Sequence, residues 1–119
     1  MATKNKQSTR YFSNQHETSI CKALDGRRQS NSGAGDFAKG DIIIDRADML
    51  IEAKTCMKEN ESFSVKKLWF EKNKQEAFAV RKSNHAVCFN FGPDQPNYYI
   101  INEKLMKFLC DKLEEYYNE

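Results

Sequence analysis

Nowhere among its 119 residues does the chain carry the roughly 20 consecutive apolar residues that cross a bilayer, and its opening, MATKNKQSTRYFSNQ, lacks the apolar stretch of a secretion signal. A soluble protein of the cytoplasm, with no membrane partner, is the expectation. The four cysteines, Cys21, Cys56, Cys88 and Cys110, stand singly, with no C-x-x-C pair. The two histidines, His16 and His85, form no His-x₃-His, so a structural zinc site is excluded and the thiols read as reduced. Neither histidine is assigned a role. No repeat or low-complexity tract is present, and a net charge of +2, from 19 basic and 17 acidic side chains, argues neither for nor against a nucleic-acid partner.

The distribution of that charge says more. Residues 1–40 hold seven Lys/Arg against three acids, whereas residues 102–119 hold three against five. A basic end of this kind can neutralise phosphates, with affinity falling as salt rises, although a solvated tail would have the same composition. The length suits one domain, read as a basic flexible arm over residues 1–10 and a single folded unit over residues 11–119.

A short first helix is expected from about Ser13 to Leu24, closed by Asp25-Gly26. The segment RRQSNSGAGDFAKG then reads as a loop or a short edge strand leading into a loop. DIIID and MLIEAK are two short apolar, β-branched-rich runs that form a hairpin. Both faces of that hairpin are aliphatic, so helices should cover the sheet on both sides. Ser64 is placed to cap a long helix over residues 65–82, followed by strands at AVCFNF and YYIIN. A last helix capped by Asn102 carries Leu105, Leu109, Leu113 and Tyr116 at helical spacing. The order α-β-β-α-β-β-α, with an additional early strand near Arg28, predicts an α/β or α+β sandwich around a mixed sheet.

Three charges interrupt the apolar hairpin: Asp41, Glu52 and Lys54. Side chains alternate along a strand, so Glu52 and Lys54 share one face. A turn that sets Arg46 opposite Met49 places Asp41 opposite Lys54 and on that same face, whereas a slip of one residue would send Asp41 to the other. Two carboxylates and a lysine so gathered suit Mg²⁺ or Mn²⁺, which prefer oxygen ligands and retain waters. Phosphodiester hydrolysis uses such a set. A cross-strand ion pair at a solvated sheet end is the plain alternative.

Asp41, followed eleven residues later by Glu52-Ala53-Lys54 on a hairpin and preceded by the helical acid Glu17, resembles the PD-(D/E)XK nuclease superfamily. The loop SNSGAG, the KGDI entry and a later helix with Gln75 most resemble archaeal-type and phage Holliday-junction resolvases. The similarity spans roughly Glu17 to Phe91, with Gly40 where the family carries proline. It implies a restriction-endonuclease-like sandwich, with a central mixed β-sheet flanked by helices, and a Mg²⁺-dependent endonuclease that cuts branched DNA to 5′-phosphate and 3′-hydroxyl ends. It further implies metal binding by Asp41, Glu52, the Ala53 carbonyl and Glu17, with Lys54 positioning the attacking water.

Gln75 lies at the edge of a stripe formed by Leu68, Trp69, Ala79 and Val80, from which it could reach the site or a phosphate; Lys72 and Glu76 read instead as an ordinary i,i+4 pair. Arg27, Arg28, Ser30, Ser32, Lys39, Lys66 and Lys67 are candidates for gripping DNA phosphates. No residue suggests base-edge reading, so recognition by shape is expected. The aromatics Tyr98, Tyr99, Tyr116 and Tyr117 read as core or interface. Cutting two strands symmetrically calls for a homodimer, with the last helix or the third and fourth strands as its interface.

Overall fold

A computed structural model of the protein describes residues 9–29 and 41–119. Ser30, Ser32, Lys39 and most of the basic arm lie outside the described residues. Helix α1 spans Thr9–Leu24 and so begins inside the segment expected to be an arm. Strands β1 (Arg27–Arg28), β2 (Asp41–Ile44), β3 (Met49–Lys54), β4 (Asn84–Phe89) and β5 (Tyr98–Ile100) form one sheet in the order β1-β2-β3-β4-β5. The pairs β1·β2, β2·β3 and β4·β5 are antiparallel, while β3 and β4 run parallel. The crossover between those two is helix α2 (Lys67–Ala79), and helix α3 (Glu103–Tyr117) closes the chain.

The expected coarse architecture, a mixed α/β sheet with helices and an early edge strand, is present. The two faces of the sheet are both apolar for the reason anticipated from the sequence. Ile42, Ile44, Ile51, Ala86 and Cys88 pack with Ile20 of α1 on one side, and Ile43 and Leu50 pack with Ala77 of α2 on the other. Two of the buried polar side chains, His16 and Asn73, tie elements together. His16 meets Thr55 Oγ1 through Nδ1 at 3.0 Å and Cys88 Sγ through Nε2 at 3.4 Å, and burial lowers its pKa. Asn73 Oδ1 lies 3.0 Å from His85 Nδ1 and ties α2 to β4.

The hairpin register differs from the expected one by two residues: Asp41 stands opposite Glu52 rather than Lys54. The cause is a longer turn. Asp45–Ala47 form a 3-10 turn, Asp48 takes the left-handed conformation (φ 51°, ψ 51°), and Ile44↔Met49 is the closing pair. Arg27 Nε bonds Asp45 at 2.7 Å, Lys82 Nζ approaches both turn acids, and Ser83 N donates to Asp48 at 3.0 Å. Those partners, distant in sequence, hold the wide turn. Because the shift is even, every side chain keeps its face.

Two helix ends behave differently. Asn102 Oδ1 accepts from Leu105 N at 2.8 Å, so the expected cap of α3 is formed. Ser64 does not cap α2: the helix starts at Lys67 behind Lys66, without a side-chain cap.

Candidate metal centre

Asp41 begins β2, and Glu52 and Lys54 lie toward the end of β3, all on the face covered by α2. Strand alternation alone puts them there. Asp41 is 5% exposed. The third acid comes from above the sheet: Asp41, Glu52 and Glu76 each offer a carboxylate oxygen, and these atoms lie within 4.8 Å of one another.

Three buried or half-buried carboxylates at that spacing repel one another, and burial adds to the cost of their charge. Burial, then the charges of Glu76, Glu52 and Glu17, push the Asp41 pKa up to about 8, with Lys54 opposing. Burial and then Glu52 raise that of Glu76 as well. Two oxygens in the cluster, Oε1 of Glu52 and Oε1 of Glu76, are buried with no hydrogen-bond partner. Orphaned carboxylate oxygens are costly unless a cation or proton meets them. An all-oxygen donor set of this charge fits Mg²⁺ or Mn²⁺, whereas the absence of thiolate and imidazole from it disfavours zinc.

Lys54 is held from two sides. Its Nζ lies 2.7 Å from Glu52 Oε2 and 4.7 Å from the centroid of the Trp69 ring. The ammonium has three N–H donors, of which the Glu52 contact takes one. Trp69 itself rests against Phe63, which stacks on Phe89, the register partner of Lys54 on β4.

Glu17 is not among the three clustered acids. Its carboxylate, 12% exposed, faces Arg28 at 3.7 Å, and it borders the cluster closely enough to be one of the charges that raise Asp41. Burial raises its own pKa while Arg28 opposes the shift. Gln75 is exposed, because the inward line of α2 runs through Trp69, Asn73, Glu76, Ala77 and Val80. The expected stripe is met in part: Trp69 and Val80 turn inward, whereas Leu68, 58% exposed, and Ala79 do not. The side chain of Ala53 packs in the α1-side core.

Sequence reasoning therefore missed Glu76 and Trp69. The signal for Glu76 was its place three residues after Asn73 and beside Ala77, legible only once the small and polar residues of α2 are recognised as the buried ones.

Among the candidate phosphate contacts, Arg27 is held by Asp45, and Arg28 donates to Asn14 O, Asn14 Oδ1 and Thr18 Oγ1. Lys66 and Lys67 are exposed, the latter 3.9 Å from Glu71. Comparison of the chain with protein-family models, with curated proteins and with solved structures found no match.

Proposed function

We propose that this protein is a divalent-metal-dependent nuclease that hydrolyses phosphodiesters of DNA, with branched DNA as its substrate. The observation that supports this reading most strongly is the convergence of Asp41, Glu52 and Glu76 within 4.8 Å, with two carboxylate oxygens unpartnered and an ammonium alongside. Ion pairing would explain Glu52 and Lys54. It does not explain a third acid brought against two others, in a site where the pKa values of Asp41 and Glu76 are both raised.

In this reading Asp41, Glu52 and Glu76 hold the ion, and Glu17 tunes the charge of the site from its rim. A bound Mg²⁺ supplies Lewis-acid polarisation of the phosphoryl oxygen and a more acidic bound water. The chain's own contribution is positional. Glu52 and the Trp69 ring fix the Lys54 ammonium, whose remaining N–H groups point a water at phosphorus or neutralise a non-bridging oxygen as charge develops there. Before an ion arrives, Lys54 offsets part of the repulsion among the acids. The exposed Lys66 and Lys67, at the start of α2, supply sequence-independent contacts to the phosphate backbone.

The deciding experiment is cleavage of labelled four-way junction, flap and linear duplex by wild type and Glu52→Gln in Mg²⁺, Mn²⁺ and EDTA. Metal-dependent cutting that the substitution abolishes, paired and symmetric on the junction, is the expected result. Cutting confined to flaps or ends would move the substrate within the same chemistry. Salt-sensitive binding with no cutting of any substrate by either protein would leave a DNA-binding module in place of an enzyme.

A further inference from the structure

Beside the metal centre, the face of the sheet under α2 changes from acidic to aromatic. The register runs one row across the strands through Asp41, Glu52, Val87 and Ile100, and the next row, two residues further along β3, through Lys54, Phe89 and Tyr98. Paired residues share a face, so Phe89 and Tyr98 follow Lys54 at strand spacings of about 4.8 Å, which sets Tyr98 about 10 Å from the line of β3.

Two loops and α2 extend this row. Phe63 stacks on Phe89 with ring centroids 4.6 Å apart and meets Trp69 of α2 at 5.9 Å. Phe89 and Tyr98 are stacked 30° from parallel, and Phe91 packs edge to face against both. The rings form a continuous track from the Lys54 ammonium, which lies over Trp69, to the edge strand β5. Rings that merely closed the core would be buried. None of these five is, and Tyr98 exposes 48% of its surface.

The position and chemistry of the track identify its occupant. Every nucleobase has a π-face, and aromatic side chains stack such faces without reading sequence. Bases inside a duplex have both faces covered by their neighbours, so only an unpaired or branch-point nucleotide can lie on the rings. Lys66 and Lys67 precede Trp69 by less than one helical turn and give that end of the track positive charge. The loop that supplies Phe63 instead carries exposed Glu59 and Glu61. Stacking rather than charge therefore holds a strand toward Tyr98.

We propose that Tyr98, backed by Phe89 and Phe91, stacks an unpaired nucleobase of the DNA strand that enters the metal centre, with Phe63 and Trp69 continuing the track toward the scissile phosphate. The inference rests on the nuclease reading of the neighbouring site and narrows its substrate to DNA whose strands leave the duplex beside the cut. Tyr98, expected in a core or an interface, then serves an interface with nucleic acid.

Fluorescence anisotropy of a labelled oligothymidylate and of an abasic strand of equal length and charge, in EDTA, tests this. Wild type should bind the thymidylate at least about fivefold tighter. Both affinities should fall as salt rises while their ratio holds, because the charges are equal and only the bases differ. Tyr98→Ala, shown to be folded by circular dichroism, should bring the thymidylate down to the abasic value, and Tyr98→Phe should keep the preference. Equal affinity of wild type for the two strands overturns the inference, as does a preference indifferent to Tyr98→Ala. The comparison requires no cutting, so the two readings fail separately. A protein that prefers thymidylate through Tyr98 yet cuts no substrate retains the platform and loses the nuclease, whereas one that cuts in Mg²⁺ without the preference retains the nuclease and loses the platform.

Discussion

Asp41, Glu52, Lys54 and Glu76 carry distinct expectations, which separate a metal centre from an ion-pair cluster. Glu52→Gln and Lys54→Ala should each lower cleavage at least about a hundredfold, but calorimetric titration with Mn²⁺ should show binding lost in the first and kept in the second. Glu76→Gln should weaken Mn²⁺ binding roughly tenfold or more, while Gln75→Ala leaves it unchanged. That contrast between adjacent residues follows from the phase of α2, which turns Glu76 inward and Gln75 to solvent.

Asp41 gives a pH signature in EDTA. The folded protein holds its proton up to about pH 8, whereas the unfolded chain loses it near the ordinary aspartate value of 3.8. Between those values the folded state binds more protons, so this group's contribution to stability is full at the acid end and fades as pH rises toward 8. His16 and His85, both lowered by burial, act in the opposite sense, so the comparison must be made against a variant. The thermal midpoint of wild type minus that of Asp41→Asn should fall steadily from about pH 4 to pH 8.

At the scale of elements, alternation in MLIEAK made the shared face of Glu52 and Lys54 legible, and the aliphatic character of both faces announced a two-sided sheet. The register was not legible, because the turn length depends on Arg27, Lys82 and Ser83, which reach Asp45 and Asp48 from other elements. The phase of α2 was hidden for a different reason. Its inward residues include Asn73 and Glu76, which no hydrophobicity pattern would choose, while Leu68 and Phe78 point outward.

Two elements make stability predictions. Ile51, fully buried in the α1-side core, should cost about 3 kcal/mol on replacement by alanine, measured by urea unfolding. Gly92 has φ 137°, and a Cβ there would meet the Glu59 backbone at 2.7 Å. Gly92→Ala should shift the unfolding midpoint downward through both strain and overlap, displacing the segment that bonds Asn60 N to Phe91 O.

For the whole molecule, the principal extents of 59 × 33 × 27 Å describe an elongated body, and α3 carries its largest exposed apolar face among the described residues. Charge also acts at this scale. Replacing Lys66 and Lys67 with alanine should weaken binding about equally for junction, flap and duplex, and make the slope of log affinity against log salt shallower by roughly two. Unequal losses among substrates would show that these lysines read structure rather than phosphate charge.

The sequence by itself determined what depends on nearest neighbours and short periodicities: the order of elements, the cap at Asn102, the shared face of Glu52 and Lys54, and the amphipathic stripe of α3. Only the tertiary structure decided which acid completes the cluster, where Asp41 stands along β3, and that Trp69 holds Lys54. Each of those rests on contacts between residues far apart in the chain, where packing sets helix phase and turn length and local preference does not.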